Sequence, residues 1–271
     1  MPGLEASEHL EINTPFGKAS DVFYRGVLGD AEVVFLSRHG RGHRLLPTEL
    51  NYRANIYGMK LLGVEYLLSV SAVGSLREDL APGEFILVDQ FVDRTFLRPS
   101  TFFGNGIVAH VSLADPVCEE FGARVYEAAR ATGAQARRGG TYICIEGPQF
   151  STRAESELYR SMKIDVVGMT AMQEARLARE AEMCFATLAT ATDYDCWHKE
   201  HGNVDIGDVL RVLRDNVAIA QATVVKLAGL LGSNTRGCAC AHALKDAIIT
   251  EPRLIPPKVL EQLRPLVGKY L

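Results

Sequence analysis

Apolar runs of strand length alternate with segments of helical period along most of this chain, and that alternation does most to restrict its architecture. The strand-like runs fall near residues 31–37, 64–71, 84–91, 140–146, 164–168 and 183–191. Helical patterns fall near 49–62, 116–132, 153–163, 172–182, 207–231, 241–249 and 257–267. Continuous apolar runs suit strands buried on both faces, so the order predicts an α/β fold with a central mixed β-sheet flanked by helices on both faces. In such folds ligands collect beyond the C-terminal ends of strands. No repeat, low-complexity tract or linker divides the chain, so residues 1–271 are expected to form a single domain. The stretch 92–113, rich in Phe, Gly and Pro, reads as a long functional loop.

A chain of 271 residues, 47% hydrophobic and 23% charged, can bury a large core. Its net charge of -4 argues against a basic stripe for nucleic acid, and no run approaches the apolar length of a membrane-spanning helix. The expected partners are small molecules and copies of the chain itself. The start, Met1-Pro2-Gly3-Leu4-Glu5-Ala6, lacks the basic and apolar regions of a secretory signal, so the expected compartment is the cytosol. The cysteines at 118, 144, 184, 196, 238 and 240 form no C-x-x-C pair and have no histidine at zinc-finger spacing, so no metal site is expected. Cys144 and Cys184 read as small core residues. Cys238 and Cys240, after a polar turn, read as reduced thiols near a helix start rather than a regulatory disulfide.

Chemistry-bearing residues cluster where strands should end. Thr192-Asp193-Tyr194-Asp195-Cys196-Trp197 follows the last apolar run, and its two carboxylates, two residues apart, can read a ring nitrogen and an amine on one planar ligand. Arg38-His39-Gly40 suits a phosphate, although an exposed basic turn would look similar. Ser71-Ala72-Val73-Gly74-Ser75 offers a hydroxyl and backbone donors for an anion, although such turns are common. In Glu146-Gly147-Pro148-Gln149-Phe150-Ser151-Thr152-Arg153-Ala154-Glu155, the carboxylate and aromatic face suit a sugar or base. The alternatives are a salt bridge within the loop for Glu146, core filling for Phe150 and a helix start for Ser151 or Thr152 with Glu155. Gly168-Met169-Thr170 pairs a methionine suited to a sugar face with a donor at a helix N-terminus, or else is a plain cap beside a core methionine.

Taken together these runs resemble the 5'-methylthioadenosine phosphorylases of the trimeric purine nucleoside phosphorylase family. The resemblance also rests on Thr14-Pro15-Phe16-Gly17-Lys18-Ala19-Ser20-Asp21 and Asn51-Tyr52-Arg53-Ala54-Asn55, and it extends from about Thr14 to the C-terminus. It implies phosphate contacts from Arg38, His39, Ser71, Ala72 and Thr170. It implies ribose contacts from Met169 with Pro47 nearby, and purine contacts from Phe150, Ser151, Asp193 and Asp195. Ile206, Val209 and Leu210 would line a methylthio pocket with His110, which would reach across a subunit interface of a homotrimer. The implied reaction is phosphorolysis of 5'-methylthioadenosine to adenine and 5-methylthioribose 1-phosphate. Inorganic phosphate is the co-substrate, and no metal or organic cofactor is implied.

Cleaving an N-glycosidic bond leaves positive charge on the sugar and negative charge on the departing base. Phosphate answers the first, and a proton held between Asp193 and purine N7 answers the second. Burial beside Asp195 would raise the Asp193 pKa for that task. An acceptor at Asp195 suits a 6-amino purine, so adenine is expected over hypoxanthine. Two alternatives stand beside this reading: a phosphorylase for 6-oxopurine or methylthioinosine nucleosides, and an inactive purine-nucleoside-binding homologue. The second arises because family members begin with a buried strand leading into a Gly-rich phosphate loop, and this chain opens where that loop should already have ended. The first strand is therefore expected to be absent, with the loss of ladder bonds in the sheet and of one wall of the phosphate site. Gly168 and Gln173 also depart from residues found in some relatives.

Overall fold

In the computed structural model, residues 1, 3–199, 204–231 and 236–271 are described. In chain order the strands are β1 (Glu5–Leu10), β2 (Phe23–Leu28), β3 (Ala31–Phe35), β4 (Tyr66–Ser75), β5 (Phe85–Val88), β6 (Gln90–Arg94), β7 (Ala136–Arg138), β8 (Thr141–Ile145), β9 (Val166–Gly168) and β10 (Cys184–Asp193). The helices are α1 (Tyr52–Leu61), α2 (Glu119–Ala131), α3 (Arg153–Ser161), α4 (Ala171–Glu180), α5 (Ile206–Leu231) and α6 (Pro257–Val267).

Seven strands form the main sheet in the order β6-β8-β9-β4-β10-β5-β7. The sheet is mixed: β10 runs parallel to β4 and antiparallel to β5, and β4 meets β9 antiparallel. Nine of the ten β10 residues are buried, as its unbroken apolar sequence requires of a strand covered on both faces. Phe185 packs in a core with α1, α4 and α6, whereas Ala186 and Leu188 pack in a second core with α2 and α5. Alternate side chains of one strand thus serve the two helical layers. The apolar run 84–91 is two strands, β5 and β6, lying at opposite sides of the sheet order. β7 and β8 divide in the same way at Gly139 and Gly140, both at positive φ. The two bent strands therefore supply both margins of the sheet, which curls on itself. Among the described residues, no helix is long and apolar enough to cross a membrane.

Two expectations need correction. The run 31–37 does not join the main sheet, because β3 pairs antiparallel with β2, which pairs with β1. β1 is exposed along most of its length, and Arg25 and Gly26 interrupt the apolar run of β2, so neither is conspicuous as a strand. The segment 241–249 is not an α-helix: a short 3-10 turn at Ala239–His242 gives way to turns. There Glu182 captures the Leu244 N–H at 3.0 Å, Asp246 takes a positive φ, and Ile248 bridges Ala109. Cys184 is a buried core residue as expected, and the fold brings it together with Cys118, Cys238 and Cys240, a convergence their spacing along the chain does not show.

The small sheet and β4 do not share a ladder. Over Tyr66–Val73, β4 has β10 as its partner on one side, and β3 has β2. Residues Ala31–Phe35 and Tyr66–Val70 face a cavity of about 800 Å³ that α5 residues Val217, Ala220 and Val224 help to line. The cavity reaches Arg38 but none of the other residues given a phosphate, ribose, purine or methylthio role above.

Candidate active site

β4 acts as a ruler for the site. At about 3.3 Å per residue, the three steps from Ser71 to Gly74 span about 10 Å, the scale of a nucleoside. At the far end of the ruler, β10 ends at Asp193 opposite Gly74. A Cβ on Gly74 would sit 3.0 Å from Asp193 Oδ1 and 3.3 Å from Asp195 Cβ, so the absence of a side chain there lets both acids close onto the sheet. Asp193 accepts from Thr192 Oγ1 at 2.8 Å and from the Asp195 N–H at 2.7 Å. Burial nevertheless pushes its pKa above the usual carboxylate range, and the charge of Asp195 adds to the rise.

Asp195 is 4% exposed and adopts a positive φ that aspartate tolerates better than most residues. Its pKa is also raised, chiefly by burial, with the neighbouring Ser156 and Ser151 hydroxyls tempering the shift. Asp195 Oδ2, Ser151 Oγ and Ser156 Oγ are nonetheless buried without a hydrogen-bond partner among the described residues. Unsatisfied buried polar atoms are uncommon, and here an acceptor and two hydroxyls converge beside one acid.

The turn holding these acids is braced from several sides. Trp197 Nε1 donates to Ser75 O at 2.8 Å, and the Arg160 guanidinium lies 3.5 Å over the indole ring. Arg153 donates to Cys196 O at 2.7 Å, and Cys196 Sγ lies 3.3 Å from Ser151 O. These contacts join the Asp193–Trp197 turn to the start of α3. That helix is capped by Thr152 rather than Ser151, in a reciprocal capping box with Glu155, which leaves Ser151 outside the cap. Phe150 is 46% exposed, so core filling is not its role. With Ser151, Arg153, Cys196 and Val204 it lines a shallow cavity of about 340 Å³.

Midway along β4, Tyr142 joins Ser71 to Thr170. Its buried hydroxyl interacts with the Ser71 side chain and accepts the Thr170 N–H at 3.4 Å. Thr170 is the N-cap of α4 but makes no side-chain capping bond, so its hydroxyl stands uncommitted at a helix N-terminus. Ala72 is exposed between buried Ser71 and Val73. Gly168 explains itself sterically: a Cβ there would collide with the Tyr142 hydroxyl. Gly147, at positive φ, likewise lies where a Cβ would strike the Met169 thioether, which packs the Glu146 loop against Met169.

Arg38 is less free than a phosphate ligand would be. It lies 2.6 Å from Glu174 Oε1 and 2.7 Å from Oε2, donates to Ser69 Oγ at 2.9 Å, and donates to Val70 O. Burial opposes its charge, and Glu174 more than offsets that cost. His39 stacks on His43 with centroids 4.3 Å apart, and its Nδ1 lies 2.9 Å from Leu45 O. Burial and the Arg38 charge lower its pKa, leaving a neutral ring whose Nδ1–H is assigned to that carbonyl. Pro47 is buried and its carbonyl accepts from Tyr52 at 2.9 Å.

The remaining residues lie on other elements. His110 is exposed, with its N–H bonded to Ala247 O at 2.9 Å. Ile206 and Leu210 are 57% and 45% exposed at the start of α5, while Val209 is buried. Sequence reasoning missed Arg98, whose side chain is fully buried. It donates to Glu146 Oε1 at 2.9 Å, Gln173 Oε1 at 3.1 Å, Tyr52 Oη at 3.3 Å, and the carbonyls of Glu146 and Met169. Glu146 is thereby in the salt bridge given as its alternative reading, and it also accepts the Phe96 and Leu97 N–H groups. The signal for Arg98 was an arginine between Phe96-Leu97 and Pro99 in the stretch read as a functional loop.

The matches to known proteins agree with this geometry. A family model described as the phosphorylase superfamily matches residues 1–228. An S-methyl-5'-thioadenosine phosphorylase of Geobacter sulfurreducens is 53% identical over all of this chain and 95% of its own length. One from Koribacter versatilis is also 53% identical, over all of this chain and 92% of that protein. A crystal structure of a methylthioadenosine phosphorylase from an Antarctic soil metagenomic library superposes with a TM-score of 0.93 at 45% identity, covering 98% of this chain and 94% of that one. The methylthioadenosine phosphorylase of Schistosoma mansoni in complex with adenine gives a TM-score of 0.88 at 34% identity, over 92% and 96% of the two chains. This chain belongs to the phosphorylase superfamily and, within it, to the family of S-methyl-5'-thioadenosine phosphorylases.

Proposed function

We propose that this protein cleaves 5'-methylthioadenosine with inorganic phosphate, giving adenine and 5-methylthioribose 1-phosphate. The observation that carries the reading is the buried pair Asp193 and Asp195, with an unpartnered Asp195 Oδ2 beside unpartnered Ser151 Oγ. The C1'–N9 bond breaks, a phosphate oxygen bonds to C1', and the proton held by Asp193 passes to purine N7 as the base leaves. Asp195 accepts from the exocyclic amine, which favours adenine, and Ser151 and Phe150 complete the base contacts. Met169 and Pro47 meet the ribose. Ser71, the Ala72 backbone, Thr170, His39 and Arg38 receive phosphate. Ile206, Val209 and Leu210 receive the methylthio group together with His110 of a neighbouring subunit, in a cytoplasmic homotrimer.

A second reading is favoured by one observation: Arg38 is held by Glu174 and faces the open cavity between β3 and β4. On that reading the protein binds purine nucleosides without turning them over. Incubating the purified protein with methylthioadenosine, adenosine, methylthioinosine or inosine, with and without phosphate, separates the two. Phosphate-dependent release of adenine is the expected result. Hypoxanthine alone would point to a 6-oxopurine enzyme, and binding without turnover to the inactive homologue. Sedimentation analysis tests the trimer, expected at three times the chain mass.

A further inference from the structure

The geometry points to a structural zinc site in which Cys118, Cys184, Cys238 and Cys240 are the four ligands. Their Sγ atoms all lie within 4.8 Å of one another, and Cys184 Sγ and Cys238 Sγ are 3.3 Å apart. Four thiolates around zinc at about 2.3 Å occupy the corners of a tetrahedron with edges of about 3.8 Å. The sulfurs are thus close to the required spacing, and all four are free thiols. Three distant parts of the chain supply them: the N-cap of α2, the first residue of β10, and the segment that precedes and enters the 3-10 turn Ala239–His242.

The surroundings suit a closed site. Cys118, Cys184 and Cys240 are buried and Cys238 is partly buried, among Phe121, Val125, Ala186 and Leu227. A complete set of thiolate ligands leaves no open position, which is the pattern of a structural and not a catalytic zinc. A tetrathiolate zinc carries excess negative charge. Arg179 Nη1, 3.8 Å from Cys240 Sγ, and the N-terminus of α2 at Cys118 both offset it. Cys184 opens β10 and Asp193 closes it, so about 30 Å of strand separates the cluster from the acids. As each Zn–S bond forms, its thiol proton passes to solvent. The metal would fasten the segment after α5 to the start of β10 and of α2.

The test is metal content of the full-length protein, purified with a reductant and no chelator, by plasma mass spectrometry. The expected value is about one zinc per chain, falling to near zero in the double variant Cys238→Ser, Cys240→Ser. Because those changes can also disturb folding, the wild-type protein is separately stripped and reloaded with cobalt(II). Intense thiolate-to-metal charge transfer and tetrahedral ligand-field bands are then expected. Metal-free protein with four titratable thiols, disulfides detected by intact mass, or a weak octahedral cobalt spectrum would each overturn the assignment.

Discussion

The backbone N–H of Asp195 donates to Asp193 Oδ1 at 2.7 Å, so the residue that supplies the second carboxylate also orients the first. The fixed orientation matters to the proposed mechanism, in which Asp193 presents a proton, rather than a mobile charge, to a departing base. Asp193→Asn should lower turnover of methylthioadenosine by about 10²- to 10⁴-fold while leaving the circular dichroism spectrum unchanged. Wild-type activity in this variant would remove the proposed acid.

Gly168 and Tyr142 compete for one volume. Gly168→Ala should destabilise the protein by about 1–3 kcal/mol in urea unfolding, because the new methyl must push the Tyr142 ring out of a packed core. Adding Tyr142→Phe removes the hydroxyl nearest the clash. The double variant should therefore be more stable than the sum of the two single changes predicts, by a coupling of about 0.5–3 kcal/mol.

Arg98 is a buried cation with Glu146 as its ion-pair partner. Replacing it by Met strands that carboxylate and several carbonyls, at a cost of about 3–5 kcal/mol. Arg98→Lys keeps the charge but not the fork, and should recover only part of the loss. Because Arg98 holds the carbonyls of Glu146 and Met169, the lysine variant should also show a higher KM for the nucleoside than wild type.

Glu180 offers a test of pH dependence remote from the acids. Burial raises its pKa to about 7, although Phe102 N–H and Thr101 Oγ1 both donate to it at 2.7 Å. An acid whose folded pKa exceeds its unfolded value binds its proton more tightly when folded. Its contribution is therefore full below the unfolded pKa, near 4.5, and is lost as pH rises toward 7. Wild-type stability should fall by about 3 kcal/mol over that window on this account. Comparing urea midpoints at pH 5 and pH 8 should show a smaller fall in Glu180→Gln.

The strands that define the α/β frame were legible because unbroken apolar runs such as 183–191 have few other places to go. β1 and β2 were not, because β1 is exposed along most of its length and Arg25 and Gly26 break the apolar run of β2. The Asp193 and Asp195 pair was legible from spacing alone, whereas the hold of Glu174 on Arg38 joins residues 136 positions apart and leaves no local trace. The convergence of the four cysteines was hidden for the same reason: their distances along the chain are unrelated to their distances in space. Arg98 looked like one charge in a loop until the fold closed around it.

Because β3 and β4 are not joined by main-chain bonds, the three-stranded sheet is held to the larger one by side chains, with Phe23 of β2 buried in the core beside α1. Arg38 stands just beyond β3, and its guanidinium reaches over to Val70, Ser69 and Glu174 like a mooring line. On the proposed assignment, the anion end of the site therefore hangs on side-chain contacts across that seam, while the base end is built into the main sheet's own ladder.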